Sequence, residues 1–386
     1  MLCSNGTKIS TLTVLLLISL PNISHGWYTR IFTFGDSLTD TGNFKHIVGN
    51  DTTYLGTHPP YGETYFGRPT GRYSNGRVFA DFFAEALGFP FPIPYLDGKT
   101  AKDFQFGANF AVGGATAMNH SFFKENGISV DPRVGFLALQ IQWFKQLLKM
   151  VCSDSDCSDI VGRSFFLVSE IGVNDYLIPS TMSIPFRDIY NFVPGVISAI
   201  SSSIKDLIDL GAKTLVVPGI VPFDCTPFYL TMFQSQNKEE YEQKTGCIKW
   251  LNEFSSYHDK LLQDELHKLR QLYPYATILY ADYCGASIGI FESPKQYGFD
   301  APLVACCGGE GPYNFSRLVN CGDAGSRVCA DPSKYVSFDG FHLTDTANKM
   351  IVHEVLKKLH KKLTRCKSHP RQERELLGFN ATQELC

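Results

Sequence analysis

The chain has 386 residues, a formal charge of −3 at pH 7, 44% apolar residues and 19% charged residues. That balance excludes a disordered chain and leaves no basic field to attract nucleic acid. No heptad run, collagen period or repeat of about 20–50 residues is present, so coiled coil, triple helix and solenoid are excluded too; length alone allows one domain or two.

Residues 1–26 read as a signal peptide. Lys8 supplies the positive end, and Thr11 to Leu20 is an apolar run too short to span a bilayer. Ser24 and Gly26 put small residues at −3 and −1 of a cleavage site before Trp27. The alternative is an uncleaved anchor. No later stretch has the length and apolarity of a transmembrane helix. The expected address is extracellular (apoplast) or a secretory lumen such as the vacuole. Cysteine usage agrees. Without Cys3, eleven cysteines are scattered through loop-like segments, which reads as a disulfide framework with one thiol left over. No pair of Cys-x-x-Cys or His clusters has metal-ligand spacing, so neither a metal nor another cofactor is expected. Four glycosylation sequons stand in the mature chain, at Asn50, Asn119, Asn314 and Asn380.

In chain order, apolar runs predict buried strands at 30–34, 164–169, 214–217 and 277–281, with a weaker one at 108–112. Their apolarity is continuous, not alternating, as in a parallel sheet covered on both faces. Helical periodicity lies between them, at 78–87, 140–151, 184–210, 239–272 and 344–363. In the last, Ile351, Val355, Leu359 and Leu363 recur every four residues, and Thr344 can cap the start. Strands alternating with helices predict a doubly wound α/β fold. No linker divides the chain. The expected organisation is a leader (1–26), one domain (27–364) and a charged tail (365–386) that a Cys366–Cys386 bridge could tie. The segments 54–75 and 301–332, rich in Gly, Pro, Tyr and Asn, read as long ordered loops and as pocket walls.

Directly after the first strand comes Gly35-Asp36-Ser37-Leu38-Thr39-Asp40-Thr41-Gly42-Asn43. Ligands of open α/β sheets bind at the carboxyl ends of strands, so a serine there is well placed to meet a substrate. A hydroxyl is a poor nucleophile near neutrality. It needs a base, normally histidine, and the base needs an orienting group. Two of the ten histidines have an aspartate three positions earlier. His267 with Asp264 sits in a polar helical stripe. His342 with Asp339 sits in a glycine-containing turn, where the two side chains can converge. The predicted triad is Ser37, His342 and Asp339. A competing motif, Gly285-Ala286-Ser287-Ile288-Gly289, matches the Gly-x-Ser-x-Gly elbow of a different hydrolase fold. Ser293-Pro294 interrupts the long helix such an elbow should open, which favours Ser37. Gly308 to Gly311 is no phosphate loop, since no Lys-Ser/Thr follows.

The first block resembles the signature of the GDSL esterase/lipase family, whose fold is the SGNH-hydrolase sandwich, a flavodoxin-like three-layer α/β/α arrangement. The family's other blocks follow in order: Asn109 to Thr116, Gly172-Val173-Asn174-Asp175, and Asp339-Gly340-Phe341-His342. Gly71 to Arg77, Cys306-Cys307-Gly308 and Gly311 to Phe315 resemble plant members. Pro60 to Thr64, with the second block, is most similar to the plant subgroup of acetylajmalan esterase and sinapine esterase. The resemblance covers about 28–364. It implies three oxyanion donors: the Ser37 backbone N–H, a backbone N–H at Gly114 (or Gly113), and the Asn174 side chain. Asp36 and Asp175 would brace the site. Phe338 stands where plant relatives usually carry Trp, and Cys284 where Tyr is usual, which makes Cys284 the candidate odd thiol.

The reading is a secreted serine esterase acting on a small-molecule substrate, an acetyl or hydroxycinnamoyl ester of a plant metabolite, through an acyl-enzyme on Ser37. The alternatives are an acyltransferase with the same acyl-enzyme, decided by water exclusion, and a catalytically silent secreted binding glycoprotein.

Overall fold

The computed structural model describes residues 28–49, 51–152 and 157–368. The leader, the chain beyond residue 368, Asn50, Asn380 and the Cys366–Cys386 bridge lie outside the residues and side chains described.

Five short strands form one parallel sheet: β1 (Arg30–Phe34), β2 (Gly107–Asn109), β3 (Ser164–Val168), β4 (Thr214–Pro218) and β5 (Thr277–Ala281). Their order is β2-β1-β3-β4-β5. Phe32 lies opposite Ala108 on one side and Phe166 on the other, and the row continues through Leu215 to Ile278. Side chains alternate between the two faces. Phe32, Phe34, Phe166, Val168, Leu215, Val217 and Ile278 enter one core, packed against the helices Leu137–Cys152, Val193–Asp209 and Lys249–Leu272. Ile31, Phe165, Leu167, Val216, Leu279 and Ala281 enter the other, against Phe79–Leu87, Tyr283–Glu292 and Asp345–Ser368. The fold is therefore a three-layer α/β/α sandwich, and burial on both faces explains the continuous apolar runs.

Aromatic packing fixes the β1–β3 region. Phe34 stacks on Phe110 at 5.0 Å, and Phe32 meets Phe144 edge-on at 5.0 Å. Truncating either phenylalanine to alanine would cost about 3–5 kcal/mol. Thr344 caps the last helix, its Oγ1 accepting from the Ala347 N–H at 3.2 Å.

Several predicted elements differ in extent; the last helix, for one, runs on to Ser368. The weak strand shrinks to Gly107–Asn109. The helix expected over 184–210 breaks into Phe186–Ile189, a 3₁₀ turn and Val193–Asp209, because Pro194 brings no N–H and must sit at a helix start. The helix expected from 239 begins only at Lys249. Ahead of it a Tyr241–Ile248 bridge and the Cys225–Cys247 disulfide hold the chain extended.

Disulfides join Cys152–Cys157, Cys225–Cys247, Cys306–Cys329 and Cys307–Cys321, leaving Cys284 as the free thiol among the described residues. No described helix is long and apolar enough to cross a membrane.

Candidate active site

The crossover direction reverses between β1 and β3, and the loops after β1, β2 and β3 meet at this switch point. They carry Ser37, Gly114 and Asn174 respectively.

Gly35 turns the chain off β1 at φ +139°, where a Cβ would lie 2.9 Å from the Glu170 carbonyl oxygen. Only glycine allows so close an approach. The Gln140 side chain clamps Gly35 from below, accepting its N–H at 2.9 Å and donating to its carbonyl at 2.7 Å. The N–H groups of Thr39 and Asp40 donate to the Asp36 carbonyl at 3.1 and 2.9 Å, closing a turn with Ser37 at its crest.

His342 comes from the loop before the last helix, about three hundred positions away. Its Nε2 lies 2.8 Å from Ser37 Oγ, and its Nδ1 lies 2.6 Å from Asp339 Oδ2. Asp339 is fixed from both oxygens. Oδ1 accepts the N–H groups of Phe341 (2.9 Å) and His342 (2.7 Å), and Oδ2 also accepts the Tyr61 hydroxyl at 2.7 Å. Burial alone would raise the Asp339 carboxyl. The facing His342, the two N–H donors and Tyr61 more than offset that and hold it below the ordinary carboxylate value. Ser37 and His342 are buried, 7% and 9% exposed, so these bonds act in a medium of low dielectric. Tyr73 packs against the imidazole at 4.8 Å between ring centroids.

Behind this row lies a small cluster of Tyr61, Phe338, Cys306, Cys307 and Cys321. Phe338 meets Tyr61 edge-on at 5.2 Å, and the Cys307 N–H donates to its carbonyl at 2.6 Å. Phenylalanine thus fills the position before Asp339 without disturbing the hydrogen-bonded row.

Around the expected oxyanion position, the Gly113 N–H donates to Asp40 Oδ2 at 2.8 Å. The N–H groups of Ser37 and Gly114 have no protein acceptor among the described residues. Of the two glycine N–H groups, the Gly114 one is therefore the unengaged one. Asn174 is placed differently from the simplest expectation. Its Nδ2 donates to Asp36 Oδ2 and to the Ala115 carbonyl, both at 3.0 Å, so its amide hydrogens are engaged by the protein. Asp175 accepts the N–H groups of Ala117 (2.8 Å) and Met118 (3.0 Å), tying the glycine block to the third loop. Burial pushes its carboxyl up to about 7, those two donors opposing. Asp40 accepts from Gly42, Asn43, Phe44 and Gly113. Burial outweighs these donors and raises it to about 6.

The competing serine lines the cavity beside His342 but is not bonded to this row. Ser287 lies inside the Tyr283–Glu292 helix, 1% exposed, with its hydroxyl donating to the Tyr283 carbonyl at 2.7 Å. His267 contacts Gln271 at 2.9 Å, and Asp264 pairs with Lys260, as a polar stripe would. Asp224, Cys225 and Cys247 lie close together, but both sulfurs are spent in one disulfide and cannot ligate a metal. Sequence reasoning missed Tyr61, Tyr73 and Gln140 as parts of the site. Tyr61 lies in the Pro60–Thr64 motif and Tyr73 in the Gly71–Arg77 motif, which mark the positions without a role.

A serine, an imidazole and a carboxylate in one buried row, at the switch point of a doubly wound parallel sheet, mark the class of α/β hydrolytic enzymes. The model of the GDSL-like lipase/acylhydrolase family matches residues 31–355. A GDSL esterase/lipase of Arabidopsis thaliana is 45% identical over 331 residues, 85% of this chain and 84% of the relative. The sinapine esterase of Brassica napus is 42% identical over 347 residues, 89% of this chain and 88% of the relative. Among solved structures, a phospholipase A1 from Streptomyces albidoflavus aligns over 86% of this chain and 99% of its own, with 12% identity and a TM-score of 0.37. The chain belongs to the GDSL-like lipase/acylhydrolase family and is a carboxylic ester hydrolase.

Proposed function

We propose that the protein is a secreted serine esterase that cleaves a small acetyl or hydroxycinnamoyl ester of a plant metabolite through an acyl-enzyme on Ser37. The observation that carries this reading is the continuous row Ser37 Oγ–His342 Nε2 (2.8 Å) and His342 Nδ1–Asp339 Oδ2 (2.6 Å). His342 takes the hydroxyl proton as Ser37 attacks the ester carbonyl, and Asp339 stabilises the imidazolium that forms. His342 then returns the proton to the leaving alcohol. In the second half, water adds to the acyl-enzyme by the same route.

The tetrahedral oxyanion receives the N–H groups of Ser37 and Gly114. Asn174 completes the set by exchanging the neutral Ala115 carbonyl for the charged oxygen, since charge-assisted hydrogen bonds are the stronger. Phe341 beside His342 packs on Phe228 at 4.6 Å and Phe315 at 5.3 Å. This aromatic wall supports a planar hydroxycinnamoyl group, and a relative named sinapine esterase points the same way. A single hydrolase domain over 27–364, a cleaved leader 1–26 and a separate tail belong to the reading. Four disulfides and the lack of a membrane-crossing helix among the described residues support secretion. Of the two described sequons, Asn119 is the accessible one, exposed at the start of a helix. The Asn314 amide is committed to the Ala305 carbonyl at 2.9 Å.

The test is turnover of an activated acetate ester, then of acetyl, feruloyl, sinapoyl and long-chain esters, by the purified protein and by Ser37→Ala. Turnover and fluorophosphonate labelling should vanish in the variant. Undiminished turnover by Ser37→Ala would overturn the assignment.

A further inference from the structure

A second concavity lies at the β2 edge of the sheet and shares no lining residue with the row of Ser37, His342 and Asp339 or with Gly114 and Asn174. The segment 93–95 runs along β2: the Asn109 N–H donates to the Ile93 carbonyl and the Tyr95 N–H to the Asn109 carbonyl, both at 2.8 Å. This segment, the chain after β1 and the loop 66–72 converge at Gly42, where a Cβ would stand 2.8 Å from the Thr70 carbonyl oxygen and 3.2 Å from Pro94 Cγ. Together they bound a pocket of about 560 Å³, the size of a small-molecule site. Four basic side chains line it, Lys45, His46, Arg68 and Arg72, against one exposed carboxylate, Asp97. Arg72 is spent. It makes two 2.7 Å bonds to buried Asp81 and donates to the Thr41 carbonyl at 3.1 Å and to Thr70 Oγ1 at 3.2 Å. Lys45 and Arg68 are not. Lys45 Nζ donates to the Pro69 carbonyl at 2.6 Å, which leaves two of its three hydrogens, and neither cation has an ion pair among the described residues. The buried Thr41 hydroxyl of the same pocket also has no hydrogen-bond partner among the described residues. Beside these groups stand rings. Phe66 carries the Arg72 guanidinium 4.6 Å from its centroid, and Phe91 meets Phe66 edge-on at 6.2 Å.

We propose that this pocket is a binding site, separate from the esterase centre, for a small carboxylate carried on a ring: the carboxylate takes the Lys45 ammonium and the Arg68 guanidinium, and the ring lies against Phe66 and Phe91. Two cations without a carboxylate between them give the pocket its sign, and the fork of a guanidinium matches the two oxygens of a carboxylate. Partly buried rings offer a flat apolar wall, which fits an aromatic ring or the apolar face of a sugar. A free aromatic acid and a uronic acid present the same chemistry here. Burial, and then the Arg68 charge, lower the Lys45 ammonium from its ordinary value, in keeping with two cations sharing one pocket. The walls are held by β2 and by Asp81, not by a ligand, so the site is formed in advance. It stands whether or not Ser37 is the nucleophile.

The experiment measures binding of ferulate and of galacturonate to the full-length protein by calorimetry. Ferulamide and galactose serve as uncharged controls, and acetate as a carboxylate without a ring. Ferulate, galacturonate or both should bind, and the one that binds identifies the source of the ring. The three controls should bind at least about tenfold more weakly. Lys45→Ala and Arg68→Ala should each weaken binding about tenfold, the worth of a charge-assisted bond at a partly exposed site, and Lys45→Glu should abolish it. Raising salt from about 50 to about 500 mM should weaken binding as well, since these cations are not deeply buried. Arg68 is exposed, so its truncation leaves the fold intact and keeps the test decisive even if a Lys45 variant does not fold. No binding of either carboxylate at about 10 mM would overturn the proposal. So would equal binding of an uncharged control, or wild-type affinity in Arg68→Ala, the result expected if the ligand sits at the esterase centre instead.

Discussion

Removing one hydroxyl, by Tyr61→Phe, tests how the base is held. Asp339 has four donors: Phe341 N–H, His342 N–H, His342 Nδ1 and the Tyr61 hydroxyl. The substitution deletes one and leaves ring and packing in place. A hydrogen bond to a buried charge contributes about 1.5–3 kcal/mol, and losing it lets the Asp339 carboxyl rise toward its ordinary value. The sign follows from linkage. The folded Asp339 is depressed, so its stabilisation is present above the ordinary carboxylate value and is lost as pH falls through the depressed one. Tyr61→Phe moves the folded value up and forfeits part of that stabilisation near neutrality. At pH 7 the variant should melt about 2–4 °C below wild type, and the gap should narrow as pH drops below about 4. Three donors remain, so kcat should fall about tenfold or less, against about 10⁴ for Asp339→Asn, which spoils the imidazole tautomer. Paired melting curves from pH 3 to 8 and steady-state kinetics measure both. Equal melting temperatures throughout, or a kcat loss as large as that of Asp339→Asn, would refute the reasoning.

Asn174→Ala should reduce kcat by about 10²–10³, some 3–4 kcal/mol, because the oxyanion loses a donor and Asp36 loses its partner; full activity would remove Asn174 from the oxyanion site. Ser287→Ala should keep wild-type kcat/KM, since that hydroxyl only bonds its own helix; a loss comparable to Ser37→Ala in a folded protein would contradict the site assignment. Melting temperature should rise on acidification from pH 8 to pH 5. Burial lifts Asp40 to about 6 and Asp175, Asp224 and Asp259 to about 7, so the folded state binds more protons than the unfolded one between about pH 4 and 7. Buried His258, lowered to about 3, acts oppositely but is one group against these four, and Asp36, lifted by burial to about 6, adds to their side; a melting temperature that falls steadily over this range would show that these aspartates are solvated.

What the sequence displayed and what it hid follow from how local each determinant is. The runs at 30–34, 214–217 and 277–281 were legible because strands buried on both faces need apolar residues throughout. Asp339 and His342 were legible because orienter and base stand three residues apart in one turn. Tyr61 was not, since its partner is 278 positions away and no period links a loop hydroxyl to a distant carboxylate. Gln140 looked like one more residue of a predicted helix, and its bonds to Gly35 exist only once that helix packs on β1. The late start of the Lys249–Leu272 helix was hidden for a similar reason: the disulfide that overrides helical propensity at Cys247 has its other half at Cys225.

The site is held by two kinds of scaffold with different origins of rigidity. Ser37, Gly114 and Asn174 follow adjacent parallel strands, so their relative positions are set by backbone register and by the shared carboxylates Asp36, Asp40 and Asp175. His342 belongs to no strand. Its loop is fixed by the Cys306 and Cys307 N–H groups, which donate to the carbonyls of Ser337 and Phe338 at 3.0 and 2.6 Å, and both cysteines are anchored in turn by disulfides. The Ser37 side is thus built by the sheet and the His342 side by a loop anchored through covalent cross-links. Both matter because a buried row with contacts of 2.6 and 2.8 Å tolerates little relative motion.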